Sequence, residues 1–170
     1  MRHARRPEEF LTAFNGRLQA LGRTHGLLSD HEWRSVNLED LVRLELQTMH
    51  PEDRERIRMT GEPVTLTPDQ ALALSLILHE LASNAVNHGS LSVDGGGVEL
   101  TWGTTADSQR LSLDWVEHGG PKVAPPQTKG FGSILIRRSL DKVLSSAVTH
   151  EFDPDGVRAR LDIPLEGREA

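Results

Sequence analysis

Cysteine is absent from these 170 residues, which excludes a disulfide framework and a thiolate metal site. Tyrosine is absent too, and the aromatics are three Trp and four Phe, so each tryptophan merits a role. No apolar run approaches the roughly eighteen residues a membrane-spanning helix needs. The opening M-R-H-A-R-R-P has no apolar signal region, so a cytoplasmic location is expected. Positive charge is not in excess: 19 Lys and Arg against 25 Asp and Glu give a net charge of -6. That balance argues against a nucleic-acid-binding surface. There is no internal repeat, no low-complexity segment and no G-x-x-x-x-G-K-[ST], so this is not a P-loop protein.

What is present is ordinary soluble composition, 26% charged and 36% hydrophobic. The length suits one domain, or one domain with a helical arm. Pro7 and Glu8–Glu9 open a helix running to about Ser29. Phe10, Phe14, Leu18, Leu21, His25 and Leu28 make an apolar seam along it, flanked by Arg17 and Arg23. Packing of that seam against the rest of the chain is the expectation; a second helix or a second copy is the alternative. Asn37 caps a second helix, Leu38 to about Met49, ended by Pro51. Arg56–Met59 and Pro63–Leu66 read as short strands around a turn at Gly61. Thr67, Pro68 and Gln70 are a capping box for a long helix.

That helix, through Leu72–Gly89, is the centre of the chain. Leu74, Ile77, Leu78, Leu81 and Ala85 share one apolar face, and Glu80, Asn84 and His88 share a neighbouring polar ridge. Gly89 is expected to stop the helix in a left-handed cap. Two alternating strands follow, around Val98–Trp102 and Leu111–Trp115, and a last pair flanks Pro154-Asp155-Gly156. Between them, Gly130-Phe131-Gly132 opens a helix over Ser133–Leu144. Strands in antiparallel pairs with helices inserted between them predict an α+β fold, helices on one face of a mixed, mostly antiparallel sheet.

Three stretches carry chemistry. Asn84 offers a neutral oxygen of the kind Mg2+ accepts, and Glu80 one turn earlier can accept a proton. Trp115-Val116-Glu117-His118-Gly119-Gly120-Pro121 ends a strand with a carboxylate able to take an exocyclic amine, and glycines that admit a flat ring. Lys129-Gly130-Phe131-Gly132 places a cation and unhindered amides at a helix start, an anion site. Each also has a structural reading: a polar helix end, a common glycine turn, tight packing on a sheet. Their order along the chain is what makes them informative.

That order resembles the nucleotide-binding fold of gyrase B, the ninety-kilodalton heat-shock chaperones, MutL and the sensor histidine kinases. Within it, L-H-E-L-A-S-N-A-V-N-H-G-S-L-S, L-D-W-V-E-H-G-G-P, G-F-G-S-I-L-I, the upstream R-L-Q-A-L-G-R-T-H-G-L-L with Trp33, and the closing D-G-V-R-A-R-L-D-I-P-L resemble the HWE histidine kinases. The resemblance implies a two-layer α/β sandwich of the Bergerat type and an ATP-dependent, Mg2+-dependent kinase. Residues 1–33 would be part of a dimerisation and phosphotransfer hairpin, and 34–170 the catalytic domain.

By the same resemblance Asn84 holds Mg2+, Glu80 is the base, and Glu117 takes the adenine amine. Gly119 and Gly120 shape the adenine pocket, and Lys129, Gly130, Phe131 and Gly132 line the phosphates. Asn87 and His88 line the site, with His79 and Trp115 in support. The family's H-R-V-K-N acceptor motif is not found. The acceptor histidine would therefore come from outside this segment, with a response regulator as the next partner and a homodimer through the first helix. The competing readings are a phosphotransfer module whose kinase-like domain no longer binds ATP, and a serine kinase of the same fold.

Overall fold

The computed structural model describes residues 7–107, 110–121, 147–153 and 156–165; for residues 10, 13 and 147–153 it describes the backbone only. Helix α1 (Pro7–Asp30) is followed by β1 (Val36–Asn37), α2 (Leu38–Leu46) and α3 (Pro51–Arg54). Next come β2 (Ile57–Gly61), β3 (Thr65–Leu66), α4 (Pro68–Asn87) and a 3-10 turn at Ser90–Ser92. Strands β4 (Gly97–Thr104), β5 (Arg110–His118), β6 (Ala147–Asp153) and β7 (Gly156–Pro164) complete the described elements. The expected helix over Ser133–Leu144 lies outside the described residues.

The main sheet has the order β2-β4-β5-β7-β6, and β1 pairs with β3 in a separate two-stranded ladder. β2 runs parallel to β4, and the other neighbours are antiparallel. The sheet is thus mixed and mostly antiparallel, as expected. Alternation puts Val98, Leu100, Trp102, Leu111, Leu113, Trp115, Ala159, Leu161 and Ile163 into one buried layer. On the opposite face Arg110 pairs with Asp162 and Arg160 with Asp114, each at 2.8 Å. One face is therefore core and the other is charged.

Local chemistry starts the helices where the sequence placed them. Asn37 accepts from the Glu39 amide at 2.9 Å and caps α2. Thr67 and Gln70 form both halves of the capping box on α4. From that start Leu74, Ile77, Leu78, Leu81 and Ala85 bury the expected face on the sheet. Each of the four larger side chains contributes about 1.5–3 kcal/mol by leaving water.

Four expectations need correction. Gly61 is not a turn: it is the last residue of β2 and lies opposite Trp102 of β4. A Cβ there would come 2.0 Å from the indole, so glycine is needed for ring packing. The two flanking strands pair with β4 and β1, not with each other. Gly89 is not left-handed: it has φ -104°, and His88 is the C-cap.

The fourth correction concerns α1. The face it packs inward is Arg17, Ala20, Thr24 and Leu28, all buried. Among the described side chains of the expected seam only Leu28 is buried; Phe14 and Leu18 are exposed, as is Leu11. The side chain of Phe10 lies outside the described residues. His25 is exposed and meets Trp33 edge-on, with centroids 4.6 Å apart. Small and polar residues together with Leu28 therefore dock this helix, and Leu11, Phe14 and Leu18 face outward.

Candidate functional site

The site is built from the second half of α4, the turn that follows it, and the end of β5. Glu117 is the centre. Alternation along β5 turns Trp115 and Glu117 to the same buried face, two residues apart. The Glu117 side chain is only 5% exposed as a residue, yet it is a carboxylate. Its Oε1 accepts from the Ser90 backbone N–H at 3.0 Å, and its Oε2 accepts from the Trp115 indole Nε1–H at 3.3 Å. The W-x-E pattern is thus one unit, in which the tryptophan supplies a donor to the carboxylate it accompanies.

Glycines make the space. A Cβ on Gly89 would lie 2.2 Å from Glu117 Oε1, and one on Gly156 would lie 2.2 Å from the Glu117 carbonyl oxygen. Gly119 has φ +68°, which favours glycine, and stacks on the Gly95–Gly96 backbone. A Cβ on Gly120 would lie 2.7 Å from Ser90 Cα. The glycine turns after α4 and after β5 therefore lock together beside Glu117.

An arginine holds this arrangement. Arg56 donates from Nε to the Gly96 carbonyl at 2.8 Å and from Nη2 to Ser90 O at 3.1 Å. It also reaches Leu91 O at 3.3 Å and Val93 O. One guanidinium thus gathers four carbonyls of the Ser90–Gly96 segment. Neither Arg56 nor Ser90 stands out in sequence. Their roles depend on contacts 27 to 40 residues away.

The polar ridge divides into two parts. Asn84 and His88 are exposed, as is Asn87, whose Nδ2 donates to Ser83 Oγ at 3.3 Å. Asn84 is free to meet a ligand. Glu80, one turn earlier, is 6% exposed and faces α1. Its Oε1 accepts from Arg17 Nε at 2.5 Å. The expected base is therefore occupied by an arginine of the helical arm, which the sequence showed only as a charged flank.

His79 also faces α1: a Cβ on Gly16 would lie 3.0 Å from its Nε2. Burial pushes the His79 pKa below its ordinary value; the Arg23 and Arg17 charges add to this and Glu80 opposes it. Nearby, Arg23 pairs with buried Glu45 at 3.2 Å. Burial raises the Glu45 pKa, against the opposing pull of Arg23. His79 thus packs against α1.

Among the described residues no three His, Cys, Asp or Glu side chains gather into a metal cage. Lys129, Gly130, Phe131 and Gly132 lie outside the described residues. No described helix is long and apolar enough to cross a membrane.

The family described as HWE histidine kinase matches residues 1–63. The chain is 32% identical over 169 residues to blue-light-activated histidine kinase 1 of Erythrobacter litoralis (strain HTCC2594), covering 96% of this chain and 46% of that relative. It therefore spans less than half of that protein. The fold matches the histidine kinase domain of a blue-light-activated kinase from Erythrobacter litoralis with a TM-score of 0.72, at 18% identity, over 90% of this chain and 75% of that one. It also matches the histidine kinase ThkA, solved in complex with the response regulator TrrA, with a TM-score of 0.59 at 14% identity, over 99% of this chain and 55% of that one. Residues 1–63 thus carry the HWE histidine kinase match, and the chain has the fold of histidine kinase catalytic domains.

Proposed function

We propose that this chain is the ATP-binding catalytic part of a two-component sensor histidine kinase, and that it moves the ATP γ-phosphoryl group to a histidine outside this segment. The observation that carries the reading is Glu117: a buried carboxylate, oriented by two donors and closely flanked by glycines. A carboxylate accepts only, so it selects a ring bearing a donor, and the adenine amine is such a group.

In this reading Glu117 orients the base and Gly119–Gly120 admit its ring. Asn84 would hold Mg2+, and the ion would supply neutralisation of phosphate charge. Asn87 and His88 line the rim. Lys129 and the Gly130-Phe131-Gly132 amides receive the phosphates. The γ-phosphorus–oxygen bond to ADP breaks and a phosphorus–nitrogen bond to the acceptor imidazole forms. The imidazole N–H proton goes to a base, and catalysis rests on positioning and electrostatics. Glu80 is that base once Arg17 releases it. The outward seam of Leu11, Phe14 and Leu18 would pack against the acceptor helix or against the same helix of a second copy. A response regulator would take the phosphoryl group next, and dependence on ATP places the reaction in the cytoplasm.

The test mixes the chain with Mg2+, γ-labelled ATP and a separate helix carrying H-R-V-K-N. Acid-labile label on that helix is expected. ATP binding without labelled histidine removes the kinase assignment. No ATP binding at all favours the phosphotransfer module, and acid-stable label favours the serine kinase.

A further inference from the structure

Helix α1 docks by its polar side. Arg17 pairs with Glu80 of α4 at 2.5 Å, and Arg23 pairs with Glu45 of α2 at 3.2 Å. Thr24, on the docked side, is fully buried. Thr24 Oγ1, Arg23 Nε and Glu45 Oε1 are buried and make no hydrogen bond among the described residues. Leu11, Phe14 and Leu18 stay outside this contact. Buried charges and polar atoms regain hydration when two surfaces part, whereas apolar surfaces only lose by parting. The polar side is therefore one that α1 can release.

The turn at the end of α1 is the place for that release. Glu32 has φ +55° and Trp33 has φ +59°, two consecutive left-handed residues of which neither is glycine. Trp33 N–H donates to Leu28 O at 2.8 Å, and Glu32 N–H donates to Ser29 O at 3.1 Å. These are the bonds of a helix cap that most often has glycine where Glu32 stands. Side chains in this backbone conformation are strained. The cap is held by those two bonds and by the edge-on contact of Trp33 with His25. Relaxing both residues to ordinary angles would redirect α1 away from α4.

We infer that α1 is an autoinhibitory arm, which silences Glu80 while docked and frees it by swinging out about Glu32–Trp33. Docked, the Arg17 guanidinium occupies the carboxylate and keeps it from taking a proton. Released, Glu80 can receive the proton that leaves the acceptor imidazole. The aim of the arm is specific: its consecutive residues Gly16 and Arg17 meet the consecutive residues His79 and Glu80. A Cβ on Gly16 would lie 3.0 Å from His79 Nε2, so glycine lets the arm come close enough for Arg17 to reach. This inference rests on the proposal that Glu80 is the base in phosphoryl transfer.

Two variants open the arm without altering Arg17, Glu80 or the hinge. Gly16→Leu wedges it off His79, and Thr24→Glu puts a further charge into the buried face. The Arg17 Nε–H resonance of the full chain reads docking by NMR, without nucleotide. Both variants are expected to move it to the position of a solvated arginine, while the β4 and β5 amides stay in place and show the domain folded. With Mg2+, γ-labelled ATP and the H-R-V-K-N helix, both are expected to label the helix about tenfold faster than the parent, as when an open state of about 10% or less becomes the major one. Gly16→Leu combined with Glu80→Gln is expected to lose that gain. An Arg17 resonance that stays put in both variants overturns the inference, as does a gain that survives Glu80→Gln. Label from the opened chains equal to that from the parent sinks the arm alone. No label from any chain sinks the kinase reading, and the inference with it.

Discussion

Glu80 and Glu117 are buried almost equally, at 6% and 5% exposure, but by different chemistry. Glu80 is met by a full positive charge from another helix, at 2.5 Å. Glu117 is met by two neutral donors, one backbone amide and one indole. Neutral donors orient a carboxylate and leave its charge available to a ligand. A guanidinium cancels the charge and ties the carboxylate to the element that carries the arginine. Glu117 therefore keeps an uncancelled charge between two neutral donors, and the charge of Glu80 is paired with α1. The two halves of the expected polar site differ in readiness.

The largest test of that contrast is Arg17→Met. It leaves Glu80 buried without its cation and should cost about 3–5 kcal/mol of stability, measured by urea unfolding. Adding Glu80→Leu should recover most of the loss, since replacing both partners of a buried pair with apolar groups is often neutral. A single variant as stable as the parent would mean that the pair does not hold the arm.

Glu117→Gln comes next. The amide can still accept from Ser90, but its NH2 then faces the Trp115 N–H, donor against donor. About 1–3 kcal/mol of stability should be lost, with ATP affinity reduced as well. The indole N–H resonance of Trp115 should move in the NMR spectrum. An unmoved resonance would mean that the tryptophan does not bond to the carboxylate.

A smaller effect belongs to His79. Its pKa lies below the ordinary value of 6.5 because burial disfavours the charged ring. The unfolded chain therefore binds a proton at higher pH than the folded one does. Stability from this group is complete above 6.5 and declines as pH falls through the lower folded pKa. His79→Gln should flatten the acid limb of a stability-versus-pH curve below 6.5. An unchanged limb would assign it to other groups. The smallest effect is expected at the exposed Arg43–Glu39 pair, 2.7 Å apart on α2: Arg43→Ala should cost no more than about 0.5 kcal/mol.

Much of the fold was legible because it rests on local rules. The Asn37 cap and the Thr67–Gln70 box depend on side chains and amides two or three residues apart. The alternation in β4 and β5 follows from the pleat. The α1 seam was legible as a pattern but misread as packing, because an apolar stripe says only that something covers it. The buried face is instead Arg17, Ala20, Thr24 and Leu28, whose small side chains admit α4 and whose arginine finds Glu80. Gly61 was misread as a turn because glycine marks both bends and close approaches. Only the pairing of β2 with β4, forty residues on, shows that Trp102 is what it accommodates.

The W-x-E pair and the Asn-bearing helix were likewise visible as motifs. By itself the sequence determined the element types, the helix starts, the core face of α4 and the residues to suspect, since each follows from spacing along one chain. Tertiary structure alone decided that Glu117 is held by Ser90 and Trp115, that Arg56 gathers the turn around it, and that Glu80 is paired with Arg17 of α1. Those are contacts between groups far apart in sequence, and a buried carboxylate takes its properties from whichever donor the fold brings to it.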